Sequence, residues 1–133
     1  MQFITQQNHY SCGPVAIYNL LQFYKQSPCI NCIHKKTKCN PRSGTSMLNI
    51  SKTLQHYNIS FSNGIVQDGN VFVFEYKHPN YGLHIVFAYK LNNRFLLIND
   101  FQNGKYKKYT FKSISQWKRL ISKMTSAFTI LHN

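Results

Sequence analysis

Gln6-Gln7-Asn8-His9-Tyr10-Ser11-Cys12-Gly13-Pro14-Val15-Ala16 is the stretch from which the rest of the chain is read. Polar, turn-forming residues give way at Cys12 to a run in which Ala16, Ile17, Leu20, Leu21 and Tyr24 recur at spacings of three and four. That is the period of a helix with one buried face. Pro14 suits the first turn of such a helix, where its missing N–H is not needed. Cys12 therefore opens the helix. A thiol there meets the partial positive charge and unpaired N–H groups of the helix N-terminus, which favour the thiolate. Position alone makes Cys12 a candidate nucleophile, against the plainer reading of an inert buried cysteine.

Composition narrows the chemistry. The 133 residues carry 16 Lys and Arg against three acids, a net charge of +13. With only Asp68, Glu75 and Asp100 available, mechanisms built on paired carboxylates or carboxylate-bound magnesium have little to draw on. Acid–base work falls to His and Cys. A hydrophobic content of 43% is enough to bury a core, and no apolar run approaches the roughly 20 residues of a membrane span. Met1–Gln6 has neither a basic nor an apolar targeting region. The expectation is one basic, soluble domain over residues 1–133, located in the cytoplasm.

Outward from the first helix, residues 27–44 read as a Cys- and Lys-rich insertion loop. Thr45 or Ser46 then caps a second helix with Met47, Ile50, Leu54 and Tyr57 inward. After Asn58 the period becomes that of strands. Ile59–Val66 and Val71–Tyr76 are expected to form a hairpin across Gln67–Asn70. Leu83–Lys90 and Arg94–Phe101 form another across Leu91–Asn93. A lysine-rich strand over Lys105–Phe111 follows, then a helix over Ser113–Lys123 with Ile114, Trp117 and Ile121 inward, then a strand over Ala127–Leu131. Helices first and a mostly antiparallel sheet second make an α+β fold.

His84 stands at the head of one strand of the second hairpin, and Asp100 closes the other. Antiparallel pairing brings the two near each other at the hairpin's open end. A carboxylate beside an imidazole fixes its tautomer and stabilises its charged form; a cross-strand polar pair is the plainer alternative. Gln6 offers a side-chain amide that can donate to an oxyanion alongside the Cys12 N–H, with Gln7 as its competitor.

Gln6, five intervening residues and Cys12-Gly13-Pro14-Val15-Ala16 resemble the nucleophile region of papain-like cysteine peptidases. The likeness is greatest to the bacteriocin-processing peptidases that cleave double-glycine leaders and to their stand-alone relatives. Gly44-Thr45-Ser46, Gly82-Leu83-His84-Ile85-Val86, Leu97-Ile98-Asn99-Asp100 and the Trp117 helix before a final strand fit in order. The resemblance implies a minimal papain-like fold, with Cys12 as nucleophile, His84 as base and acid, Asp100 orienting His84, and Gln6 in the oxyanion hole. It implies a peptide or protein substrate, with hydrolysis of a peptide or other amide bond through an acyl-enzyme and no cofactor for that chemistry. Phe101 stands where the family has a proline.

Two features lie outside the resemblance. Cys29-x-x-Cys32-x-His34 with Cys39 has ligand types suited to a structural zinc, with free thiols or a disulfide as alternatives. Lys35-Lys36-Thr37-Lys38 with Arg42, Lys105 with Lys107-Lys108, and Lys118-Arg119 with Lys123 form basic groups. With Tyr106 and Tyr109 interleaved for stacking, they support a second reading, a non-catalytic module that binds nucleic acid or another acidic partner.

Overall fold

The computed structural model describes residues 2–79 and 82–131. Three helices come first: α1 (Cys12–Phe23), α2 (Ile30–Thr37) and α3 (Met47–His56). The strands β1 (Phe61–Asn63), β2 (Val71–His78), β3 (Gly82–Leu91), β4 (Arg94–Ile98), β5 (Phe101–Gln102), β6 (Lys105–Tyr106) and β7 (Thr110–Lys112) follow, then α4 (Ile114–Ile121) and β8 (Met124–Ile130). Six strands form one sheet in the order β1-β8-β2-β3-β4-β7, and β5 and β6 pair separately. Every pairing is antiparallel. This is the expected α+β arrangement.

Strand alternation divides the core between the two faces of the sheet. Val73, Ile85, Phe87 and Ile98 pack against Ile17, Leu20 and Leu21 of α1, Ile33 of α2, and Ile50 and Leu54 of α3. Phe72, Phe74, Val86 and Leu97 face the other way, toward Trp117 of α4. The Trp117 ring stacks on Phe95 at 4.0 Å between centroids. Each fully buried Phe or Leu contributes roughly 1.5–3 kcal/mol by leaving water, so β2 and β3, both lined on two faces, are held firmly in the middle of the sheet.

Several expectations are corrected. Residues 27–44 are not all loop, because α2 lies within them. Its charged sequence hides a single fully buried apolar anchor, Ile33, beside the buried Thr37, and its last turn carries His34, Lys35 and Lys36, which suit the negative helix end. The hairpin joining residues 59–66 to 71–76 does not form: β1 pairs with β8, which in turn separates it from β2. The strand expected over Lys105–Phe111 is broken into β6 and β7. Ile114, expected inward, is 42% exposed, and Trp117 alone of α4 is buried. Ser46, not Thr45, caps α3, its hydroxyl accepting from the Asn49 N–H at 3.1 Å.

Candidate active site

Cys12 is the first residue of α1 and lies against β3. Its sulfur accepts the Ile85 N–H at 3.4 Å, so the helix N-terminus and the strand that carries His84 meet at the thiol. Close approach at this corner depends on Gly13: a Cβ there would stand 2.8 Å from Thr45 Cβ. The cleft beside the sulfur, about 300 Å³, is walled by His9, Tyr10, Gly44, Thr45 and Leu83.

His84 is 6% exposed. Its Nε2 lies 2.9 Å from the Asn99 carbonyl oxygen. A carbonyl only accepts, so Nε2 carries the proton and Nδ1 is left with its lone pair, as a base requires. The register of β3 with β2 sets Tyr76 directly opposite His84, and the two rings meet edge to face at 5.8 Å.

The ladder between β3 and β4 ends at Phe87 and Ile98. Past it, Asn99 adopts the left-handed conformation, φ 65°, and swings the chain across the end of the sheet. That turn aims the Asn99 carbonyl at His84 and its side chain at Gln6. The Asn99 Oδ1 accepts the Gln6 N–H at 2.9 Å, and its Nδ2 donates to Gln6 Oε1 at 2.7 Å. The Gln6 Nε2 donates to the Asn8 carbonyl at 2.8 Å. Asp100, 3% exposed, accepts a hydrogen bond from the Tyr76 hydroxyl at 2.5 Å. The carboxylate thus holds Tyr76, while the direct bond to the imidazole comes from the neighbouring Asn99 carbonyl.

Burial governs the protonation of the pair. It pushes the Cys12 thiol up, against the opposing pull of the Ile85 and Gly13 N–H groups. This reverses the expectation of a thiol lowered by the helix terminus: at 9% exposure the loss of solvation outweighs the helix end. Burial likewise lowers His84, with Asp100 and the Asn99 carbonyl acting in the other direction. Thiol and imidazole are therefore both favoured in their neutral forms.

Sequence reading missed Tyr76 and Asn99, and assigned Tyr106 elsewhere. Tyr106, expected to stack on bases with Tyr109, is half-buried with its ring 5.9 Å from His84. Lys105, Lys107, Lys108 and Tyr109 around it are exposed.

The expected zinc ligands are not brought together. Cys29 and Cys32 form a disulfide, their Cα atoms 5.2 Å apart, and a bonded sulfur has no thiolate to offer a metal. Cys39 turns away and donates its thiol hydrogen to the Tyr10 carbonyl at 3.3 Å. Among the described residues, no three His, Cys, Asp or Glu are arranged to hold a metal ion. Nor is any helix among them long and apolar enough to cross a membrane.

The model of the Peptidase C39 family matches residues 1–128. The chain belongs to that family. It is a cysteine peptidase, as the resemblance in the sequence implied. Solved structures share the fold of this C39 chain. The peptidase domain of Streptococcus ComA, a bifunctional ABC transporter of a quorum-sensing pathway, superposes with a TM-score of 0.72 at 16% identity, over 99% of this chain and 98% of that one. A double glycine motif protease from an AMS/PCAT transporter, solved with its leader peptide, superposes with a TM-score of 0.74 at 15% identity, over 98% and 90%. No curated protein sequence matches the chain significantly.

Proposed function

We propose that this C39 peptidase cleaves a peptide after a pair of small residues, with Cys12 as nucleophile, His84 as base and acid, Asp100 as the charge that supports His84, and Gln6 at the oxyanion. The observation that carries the assignment is the seat of Cys12, whose sulfur touches the backbone of the His84 strand at the mouth of a cleft. The family and the leader peptide bound to a structural relative support a peptide substrate. The small residues Gly44 and Thr45 in the wall of the cleft, and the double glycine motif named for a structural relative, support glycines at the acyl side of the bond.

In this reading the Cys12 sulfur attacks the amide carbonyl as its proton passes to His84 Nδ1. The carbonyl electron pair moves to oxygen, where the Cys12 N–H and the Gln6 side chain stabilise it. Collapse of the intermediate breaks the C–N bond, and the imidazolium protonates the departing amine. Water, deprotonated by His84, then hydrolyses the thioester and restores the thiol. The Nε2 bond to Asn99 keeps the ring oriented throughout.

A fluorogenic peptide amide ending in Gly-Gly tests the assignment. Turnover is expected to be abolished by Cys12→Ala and to fall at least about 10³-fold with His84→Ala. Retained turnover in Cys12→Ala protein would overturn it.

A further inference from the structure

Glu75 is the acid that borders the Cys12 cleft. The chain has only two others: Asp68 borders a separate cavity, and Asp100 is buried against Tyr76. Glu75 lines the cleft with Cys12, Arg42, Gly44 and Leu83. In β2 it pairs directly with Ile85 of β3, the residue whose N–H meets the Cys12 sulfur. A carboxylate is thus one strand away from the reacting atom.

An irregularity in the neighbouring strand holds that carboxylate in place. Opposite Glu75 and Tyr76 the register of β8 skips from Ser126 to Met124, and Thr125 is left over. A bulge of this kind re-aims the side chains beside it. The Thr125 hydroxyl donates to Glu75 Oε1 at 2.6 Å. The second oxygen keeps its lone pairs, and among the described residues none of the 16 Lys and Arg forms an ion pair with Glu75. In a protein of net charge +13, a carboxylate so placed is matched to a cation that arrives with the substrate.

We propose that Glu75 is a specificity-determining residue, pairing with a Lys or Arg side chain at the third position before the cleaved bond, ahead of the two small residues. The position follows from length. Adjacent strands lie about 4.7–4.9 Å apart, and the sulfur stands a further 3.4 Å from the Ile85 nitrogen. Two extended residues span about 7 Å. The pair of small residues therefore covers the distance from the scissile carbonyl to β2, and the next side chain meets the carboxylate. Its apolar stem can lie along Leu83, which is 60% exposed, with the charge at Glu75. The proposal rests on Cys12 as nucleophile and on cleavage after two small residues, as set out above.

Three acetylated peptides, with Lys, norleucine or Glu before Gly-Gly-aminomethylcoumarin, test it. Norleucine keeps the Lys stem and removes the charge. Ratios of kcat/KM are taken within one enzyme sample, so misfolded protein cancels. Wild-type protein is expected to prefer Lys to norleucine about fivefold at low salt. The preference is expected to shrink in 1 M NaCl, where screening sets in within about 3 Å. The net charge of the protein repels basic peptides and attracts acidic ones, so the general field would give the opposite order. Glu75→Gln, whose amide oxygen can keep the Thr125 bond, is expected to bring the Lys and norleucine rates together, and Glu75→Lys to put the Glu peptide first. A wild-type rate for Lys no higher than for norleucine would overturn the proposal, as would a Lys preference that survives Glu75→Gln. Lack of turnover of all three peptides by wild-type protein, or turnover that persists in Cys12→Ala, would instead overturn the reading of the site on which it rests.

Discussion

Gln6 and Asn99, 93 positions apart in the chain, clasp each other through two buried hydrogen bonds, backbone to side chain in one direction and side chain to side chain in the other. The segment before Cys12 and the turn after β4 are held as one unit by this pair. Asn99→Gly removes both bonds and keeps the left-handed turn accessible, so it is expected to cost about 2–3 kcal/mol in urea unfolding. Asn99→Ala is expected to cost about 1 kcal/mol more, the penalty of a Cβ at that backbone conformation.

Activity is expected to require neutral His84, whose pKa burial lowers from the ordinary 6.5. The acid limb of kcat/KM should therefore fall below pH 6.5. Asp100 acts to raise the imidazole, so Asp100→Asn should move that limb further toward acid. The same group gives a stability signature. Below pH 6.5 the unfolded chain takes up a proton that buried His84 resists, so the folded state should lose stability as pH falls from there toward the lowered folded value. Thermal unfolding between pH 7 and 5, with His84→Gln as reference, reads this directly.

The raised Cys12 thiol has its own consequence. Iodoacetamide alkylation of Cys12 should keep accelerating above pH 9, where an ordinary cysteine of that pKa begins to level off. A plateau reached near pH 6 would show a preformed ion pair with His84 in place of two neutral groups.

Gly13→Ala is expected to destabilise by about 1–3 kcal/mol, the usual cost of overpacking, because its Cβ would meet Thr45 at 2.8 Å. Relief by backbone movement would carry Cys12 away from Ile85. Peptide turnover should then fall by more than the loss of folded protein measured by circular dichroism accounts for.

The Cys29–Cys32 bridge closes a very short loop, so its removal is expected to cost at most about 2 kcal/mol. Ser at position 29 can still cap α2 as the Cys29 sulfur does now, accepting the Cys32 N–H at 3.2 Å. Cys29→Ser with Cys32→Ser should therefore remain folded and retain peptidase turnover, and a chelator should leave its melting temperature unchanged.

What the sequence disclosed depended on whether the signal was local. The α1 period, the β3–β4 hairpin and the clustering of functional residue types along the chain are local facts, and they led to the helix, the strands and the family. The partners that complete the site are not local. Tyr76 faces His84 only through the β2–β3 register, and Asn99 reaches Gln6 only because one residue takes a left-handed turn. α2 was hidden for another reason: one buried isoleucine among lysines and cysteines gives no helical period. The zinc expectation rested on residue types at a plausible spacing, which carry no information on whether Cys29 and Cys32 bond to each other, as they do in the structure.

The place of β8 has a bearing on when the peptidase can act. It is the last strand of the sheet in chain order, yet it lies inside the sheet with β1 on one side and β2 on the other. Until residues 124–130 are available, β2 lacks a neighbour along the edge opposite β3, and the strand that sets Tyr76 against His84 is bound on one side only. A ribosome-held chain that already contains Cys12, His84 and Asp100 therefore has the parts of a peptidase without the frame that aligns them. Synthesis of β8 is therefore needed before β2 is held along both edges and Tyr76 is fixed against His84.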